Sequence, residues 1–126
     1  MKSLLEAIKA HYDASALALT LNGFYRGTVP AGVAEPYGRY FEVSDMPDYT
    51  FDSVHEDILI QIDIFAPEAD LPQLFEEMKS CFDDCLFTIT GNRLVSFERD
   101  ISRSLPDENG EWNHRMTQYR VRTEKL

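Results

Sequence analysis

Long hydrophobic runs are missing from this chain: nowhere do 18 consecutive residues stay apolar, which excludes a membrane-crossing helix at the sequence level. Cysteine is scarce, with only Cys81 and Cys85 in 126 residues. Their spacing in a helical pattern reads as two small buried thiols, since a metal site needs more ligands and His11, His55 and His114 are dispersed. No dinucleotide fingerprint, internal repeat or low-complexity segment is present. Gly27 to Gly32 has the glycine spacing of a phosphate loop, but Val33 and Ala34 stand where such a loop needs a lysine and a hydroxyl residue. Pro30 also removes a backbone donor from it. The first residues are charged too regularly for a secretory leader, which makes the cytosol the default compartment.

Basic residues are few over most of the length. Residues 1–92 hold 5 bases against 16 acids, whereas 93–126 hold 7 against 6, and the whole chain carries −10. The densest acidic stretch, 42–84, has 13 acids and one base. Such a surface repels a nucleic-acid backbone. With 44% hydrophobic and 27% charged residues, the composition is that of an ordinary folded domain, and the length fits a single domain over 1–126.

What is there is a clear succession of patterns. Ser3 and Glu6 have the form of a capping box, followed by Leu4, Leu5, Ile8 and Tyr12 at helical spacing. Residues 16–21 fit a short helix or a strand. After the turn at Asn22 and Gly23, the prolines and glycines of 27–36 exclude regular structure. Tyr37 to Val43 begins to look extended, and 44–53 reads as a polar loop holding Pro47 and Asp45, Asp48 and Asp52. Ile58, Ile60, Ile62 and Ile64 then alternate strictly, so one strand face is core and Leu59, Gln61, Asp63 and Phe65 face the other way. Asp70 and Pro72 open a second helix with an apolar stripe of Leu71, Leu74, Phe75, Met78, Phe82 and Cys85. Residues 86–89 suit a short strand. The last third reads as one long hairpin, with Asn109 and Gly110 as its turn signal. Arms of 12 residues reach about 40 Å, long for a domain of this size, so the outer end is expected to project or to pair outside the chain. The class is α+β: an antiparallel sheet, two helices on one face and a long C-terminal hairpin.

No catalytic constellation emerges. Asp45, Asp48 and Asp52 lack the alternate spacing, central glycine and closing glutamate of a calcium loop. Glu56 with Asp57, and Glu76 with Glu77, are adjacent pairs whose members point apart. The histidines have no nucleophile in a recognisable setting and read as surface or edge residues; whether His55 and His114 meet is open. Trp112 is either a cross-strand packing residue or an exposed anchor for another subunit. Arg99, Arg103, Arg115, Arg120 and Arg122 all lie on the hairpin arms, where they either blunt exposed strands or face the acidic body of an identical neighbour. No cofactor or metal is implied.

The order of parts is similar to that of the phage tail-completion or tail-terminator proteins. The resemblance rests on a short first helix, then Tyr25, Arg26 and Gly27, Val29 and Pro30, and Pro36 and Tyr37 ahead of an alternating strand. A helix and a charged terminal hairpin ending in Tyr119 to Arg122 complete it. It implies a non-enzymatic structural protein of the virion neck or, from a prophage, of the bacterial cytoplasm. It further implies a homo-oligomeric ring, often a hexamer, that caps the tail tube, receives the head connector and lets DNA pass without specific binding. Tyr25, Pro30, Pro36 and Tyr37 then shape the approach to the sheet. Two other readings remain open on the residues alone. One is a small ligand-binding or catalytic domain with a cleft between 44–54 and the aromatic segment; the other is a cytosolic adaptor that accepts a partner's strand.

Overall fold

The computed structural model describes residues 1–49 and 54–126. Its elements are α1 (Lys2–Asp13), α2 (Leu17–Thr20), β1 (Phe24–Arg26), β2 (Tyr37–Tyr49), β3 (Val54–Phe65), α3 (Leu71–Phe82), β4 (Asn92–Leu105) and β5 (His114–Lys125). The five strands form one sheet in the order β1-β2-β3-β5-β4. The α+β class holds. The sheet is mixed rather than purely antiparallel, because β1 runs parallel to β2 over Gly38–Tyr40.

The alternating isoleucines behave as their spacing demands: Ile58, Ile60, Ile62 and Ile64 are all fully buried. Against them pack Leu4, Leu5, Ile8 and Tyr12 of α1 and Leu71, Leu74, Met78 and Phe82 of α3. All three helices contribute to this core, α2 through Leu17 alone. Aromatic rings fill its centre. Phe24 stacks on Tyr12 at 4.3 Å and on Tyr40 at 4.7 Å, while Phe97 lies 4.9 Å from Tyr119. The Tyr40 hydroxyl donates to the Leu5 carbonyl at 3.2 Å, tying α1 to the sheet.

Gly38 makes the β1–β2 approach possible. A β-carbon there would sit 2.9 Å from the Phe24 ring and 3.2 Å from the Asp63 carbonyl, with backbone on one side and a packed ring on the other. Gly38→Ala is therefore expected to destabilise the fold by about 1–3 kcal/mol through overpacking, read as a lower urea midpoint with an unchanged slope.

Several local expectations are corrected. Ser3 does not cap: α1 begins one residue earlier, and neither Met1 nor Asp70 makes a side-chain cap bond. Residues 44–49 are not loop but the outer half of β2; a proline is tolerated there because an edge strand can aim its missing N–H at solvent. Asp52 falls outside the described residues. Residues 86–89 form no strand beyond an isolated Ile89–Asn92 bridge. Helix α3 stops at Phe82, and Asp84 takes a positive φ of 53°, so Cys85 lies beyond the helix rather than on its face. Both thiols are half-buried. Burial pushes Cys81 up, and burial together with the Cys81 charge pushes Cys85 up to about 12.

The hairpin differs most from expectation. Its turn forms as read: Gly110 has φ 81°, and the Asp107 carboxylate accepts from the backbone N–H groups of Asn109 and Glu111. Its inner strand, however, does not project. β5 pairs with β3 from His55↔Glu124 to Phe65↔His114 and with β4 on its other side, so of the two hairpin arms only β4 is an edge. The strand that stands clear is β2, whose side chains are exposed on both faces from Glu42 to Tyr49.

Candidate assembly interface

The hairpin arginines divide between the two faces of the sheet. Arg99 and Arg115 lie on the helix-covered face and share one ring, Phe75 of α3, with the Arg115 guanidinium 4.0 Å and Arg99 5.7 Å from its centroid. Arg99 also pairs with Asp83 at 3.3 Å. Arg115 donates to the Ser102 and Ser104 hydroxyls at 2.9 and 3.1 Å. Among the described residues, no carboxylate lies within ion-pair distance of it. Burial, and then the neighbouring Arg99 charge, hold its pKa below the usual guanidinium value. Trp112 sits in the loop before β5 with 47% of its surface exposed, so it does not pack across the hairpin. Trp112, Arg115, Phe75 and Leu71, together with the acidic Glu68 and Glu76, line an open hollow of about 380 Å³.

On the helix-free face, Arg120 reaches Asp57 at 3.4 Å and Asp100 at 3.8 Å, and Arg122 reaches Asp48 at 2.8 Å. Arg93 pairs with Glu124. Arg103 is exposed beside Met116. Arg103 aside, the arginines of this face are paired with carboxylates, in contrast to the surplus acid of the sequence as a whole.

One cluster here was invisible in the sequence. Asp63, fully buried, accepts from Arg39 Nε at 2.8 Å, His114 Nε2 at 2.8 Å and Gln61 Nε2 at 3.1 Å; Gln118 in turn donates to Gln61 at 3.0 Å. Burial alone would raise the Asp63 carboxyl, but the hydrogen bonds from His114 and Arg39 outweigh it and hold the group below the ordinary aspartate value. His114 is sandwiched by this bond and by Phe65, 4.2 Å away, which itself stacks on Tyr37 at 5.0 Å. His114 is therefore a partly buried hydrogen-bond partner of Asp63, not a free edge residue. His11 is likewise not a surface group: its Nε2 lies 2.7 Å from the Cys81 carbonyl, between Phe82 and Phe87. His55 and His114 stand at opposite ends of the β3–β5 ladder and do not meet.

The aromatic segment lies beside the start of the sheet. Tyr37 opens β2, Tyr25 lies in β1, and Pro36 follows a cis bond from Glu35, while Pro30 is exposed in the connecting loop. With 44–49 in a strand, the described residues of 44–54 form no loop to wall the cleft considered above. The free edges also carry devices that resist strand addition. β2 has a bulge at Glu42/Ser44 and Pro47; β4 has bulges at Leu94/Ser96 and Arg99/Ile101 and a run of charges. Addition of a partner's strand at these edges is thereby disfavoured. Among the described residues, no group of three or more His, Cys, Asp or Glu side chains is placed to hold a metal ion, and no helix is long and apolar enough to cross a membrane.

The family model "Tail completion protein gp17" matches residues 3–124. The chain belongs to this family. As a tail completion protein it is a structural component of the phage head–tail junction. The fold is also that of a chain in a solved particle, "Virion of native gene transfer agent (GTA) particle". That likeness has a TM-score of 0.85 and 16% identity, and covers 98% of this chain and 96% of that one. A search of curated proteins returned no similar sequence. The split between a helix-covered face with an aromatic–arginine hollow and an ion-paired open face is thus a property of a tail completion protein.

Proposed function

We propose that this tail completion protein works without enzymatic activity, as a single α+β domain that assembles into a ring of identical subunits, such as a hexamer, between the tail tube and the head connector. The family match over 3–124 carries this reading. One physical feature supports it. The open sheet face presents arginines already paired with carboxylates (Arg93, Arg120 and Arg122), which a phosphate backbone would have to displace; turned toward the lumen, that face lets DNA pass without holding it. The acidic surplus of α3 and its flanks then lies outward. Placement in the virion neck, reached from the bacterial cytoplasm, follows from the same role. Arg99, Arg103, Arg115, Arg120, Arg122 and Trp112 remain the proposed contact residues.

Native mass measurement and negative-stain imaging, on the protein alone and with tail tubes, test the ring. The expected result is a closed oligomer or a cap at the tube end. A monomer at every concentration and salt, with no binding to tubes, overturns the reading.

A further inference from the structure

On the helix-free face the strands register in rows. The last row at the hairpin-turn end sets Tyr37, Phe65, His114 and Leu105 side by side, and the row behind it sets Arg39, Asp63, Met116 and Arg103. Rings of the last row stack, Tyr37 on Phe65 at 5.0 Å and Phe65 on His114 at 4.2 Å. Together with the β4–β5 turn they line a recess of about 320 Å³, whose other walls include Asp107, Glu108 and Asn113.

The recess is ringed by acid that the chain does not answer. No lysine or arginine lines it, and none occurs from Ser104 to His114. Of the two guanidiniums in the row behind, Arg39 is committed to Asp63 at 2.8 Å. Arg103 makes no ion pair, so it neutralises none of these acids by direct contact. Asp107 and Glu108 pair with no cation among the described residues. Glu35, behind Asn113, accepts only from the Asn113 side-chain amide, at 3.2 Å. Backbone N–H groups of Asn109 and Glu111 hold the Asp107 carboxylate in place. At the other end of the same face, by contrast, arginines meet Asp48, Asp57 and Glu124. A separate observation points the same way: Asn113 Oδ1 is enclosed without a hydrogen-bond partner among the described residues, an acceptor that a bound donor would satisfy.

Rings, carboxylates and an unused acceptor call for a planar, donor-rich cation. Guanidinium stacks on aromatic faces and forks onto carboxylates, whereas ammonium is a compact, strongly hydrated point charge. This fold already seats its own arginines on rings, Arg115 on Phe75 and Arg39 on Phe65. We propose that the recess is a docking site for an arginine side chain on a basic segment of a different protein, with the guanidinium beside the Tyr37–Phe65–His114 row and against Asp107 and Glu108. A second copy of this chain, itself at −10, is the poorer partner because the two bodies repel. The site is complete within one subunit and needs no ring.

Amide NMR mapping and calorimetry on the full chain test it, with a capped tetra-arginine peptide as the probe. Binding with a Kd of about 1 mM or below is expected, with the largest shifts at Tyr37, Asn113, His114 and the turn. Tetralysine is expected to bind at least about threefold more weakly. Glu35→Gln combined with Glu108→Gln is expected to weaken tetra-arginine binding by about fivefold. Glu6→Gln combined with Asp13→Asn removes equal charge from exposed positions on α1 and should leave binding within about twofold of wild type. Absence of binding, equal affinity for the two peptides, equal weakening by the two variant pairs, or shifts centred on Trp112 and Glu76 overturns the proposal. Self-association is followed alongside. If wild-type protein stays monomeric yet binds the peptide as described, the ring reading falls and this site stands. If the Glu35/Glu108 variant loses self-assembly, the recess belongs to a contact between copies and the proposal falls.

Discussion

Phe82→Ala is expected to remove about 3–5 kcal/mol of stability, a large share of the roughly 5–15 kcal/mol available to a domain. The residue ends α3 and is fully buried. Its ring lies between 5.8 and 6.1 Å from those of His11, Phe24, Phe97 and Tyr119, which come from α1, β1, β4 and β5. Four elements therefore meet on one side chain, and none of them can collapse into the space without pulling away from its own strand or helix partners. Phe82→Leu, which keeps most of the volume, should cost less than about 1.5 kcal/mol. Urea unfolding followed by tryptophan fluorescence and far-ultraviolet dichroism measures both; equal midpoints for the two variants would show that the ring cluster adds nothing beyond apolar bulk.

Asp63→Ala should come next in size, at about 2–4 kcal/mol. Removing one member of a buried charge pair commonly costs about 3–5 kcal/mol because the partner is left uncompensated; the lower range applies here because Arg39 is 35% exposed and water recovers part of its solvation. Gln61 and His114 lose their acceptor as well. The pH dependence has a definite sign. Asp63 has a depressed pKa in the folded state, so the unfolded chain binds its proton more readily. Its contribution is fully present above the unfolded aspartate value of about 3.9 and disappears as pH falls through the lower folded value. Wild-type stability should therefore drop in acid between about pH 5 and 2 more steeply than that of Asp63→Ala, measured as urea midpoints across that range. Parallel curves would mean that the carboxylate is not ionised within the cluster.

Much of this architecture is legible in the order of residues. The isoleucine alternation, the stripe from Leu71 to Phe82 and the turn at Asn109–Gly110 are local patterns, each decided within a dozen residues, and each forms as its spacing indicates. What escapes is what depends on distant pairing. β5 finds β3 as a neighbour 49 to 69 positions earlier in the chain (Phe65↔His114 to His55↔Glu124), and no local signal records that choice. The same pairing, with β2 on the other side, sets Asp63 beside His114 and Arg39, so that cluster could not be read either. β1 has only three residues, too few for a period to show. Pro47 and the surrounding acids imitate a loop because an edge strand makes fewer demands on its backbone than an inner one. The candidate interface was half legible: the arginines and Trp112 were visible as types, but their division between the two faces, and the role of Phe75 beneath two of them, required the sheet.

The strand order has a further consequence for how the molecule comes into being. The two parts of the sheet, β1 to β3 and β4, are joined through β5, the last of the five strands to leave the ribosome. Until it emerges, β3 has an unclosed flank of isoleucines and β4 has no ladder to join. Most of the sheet must therefore form after synthesis has passed it, through contacts between remote segments of the kind that make folding slow. A nascent chain stalled before His114 should be a good client for chaperones, and a poor competitor for sites in a growing virion.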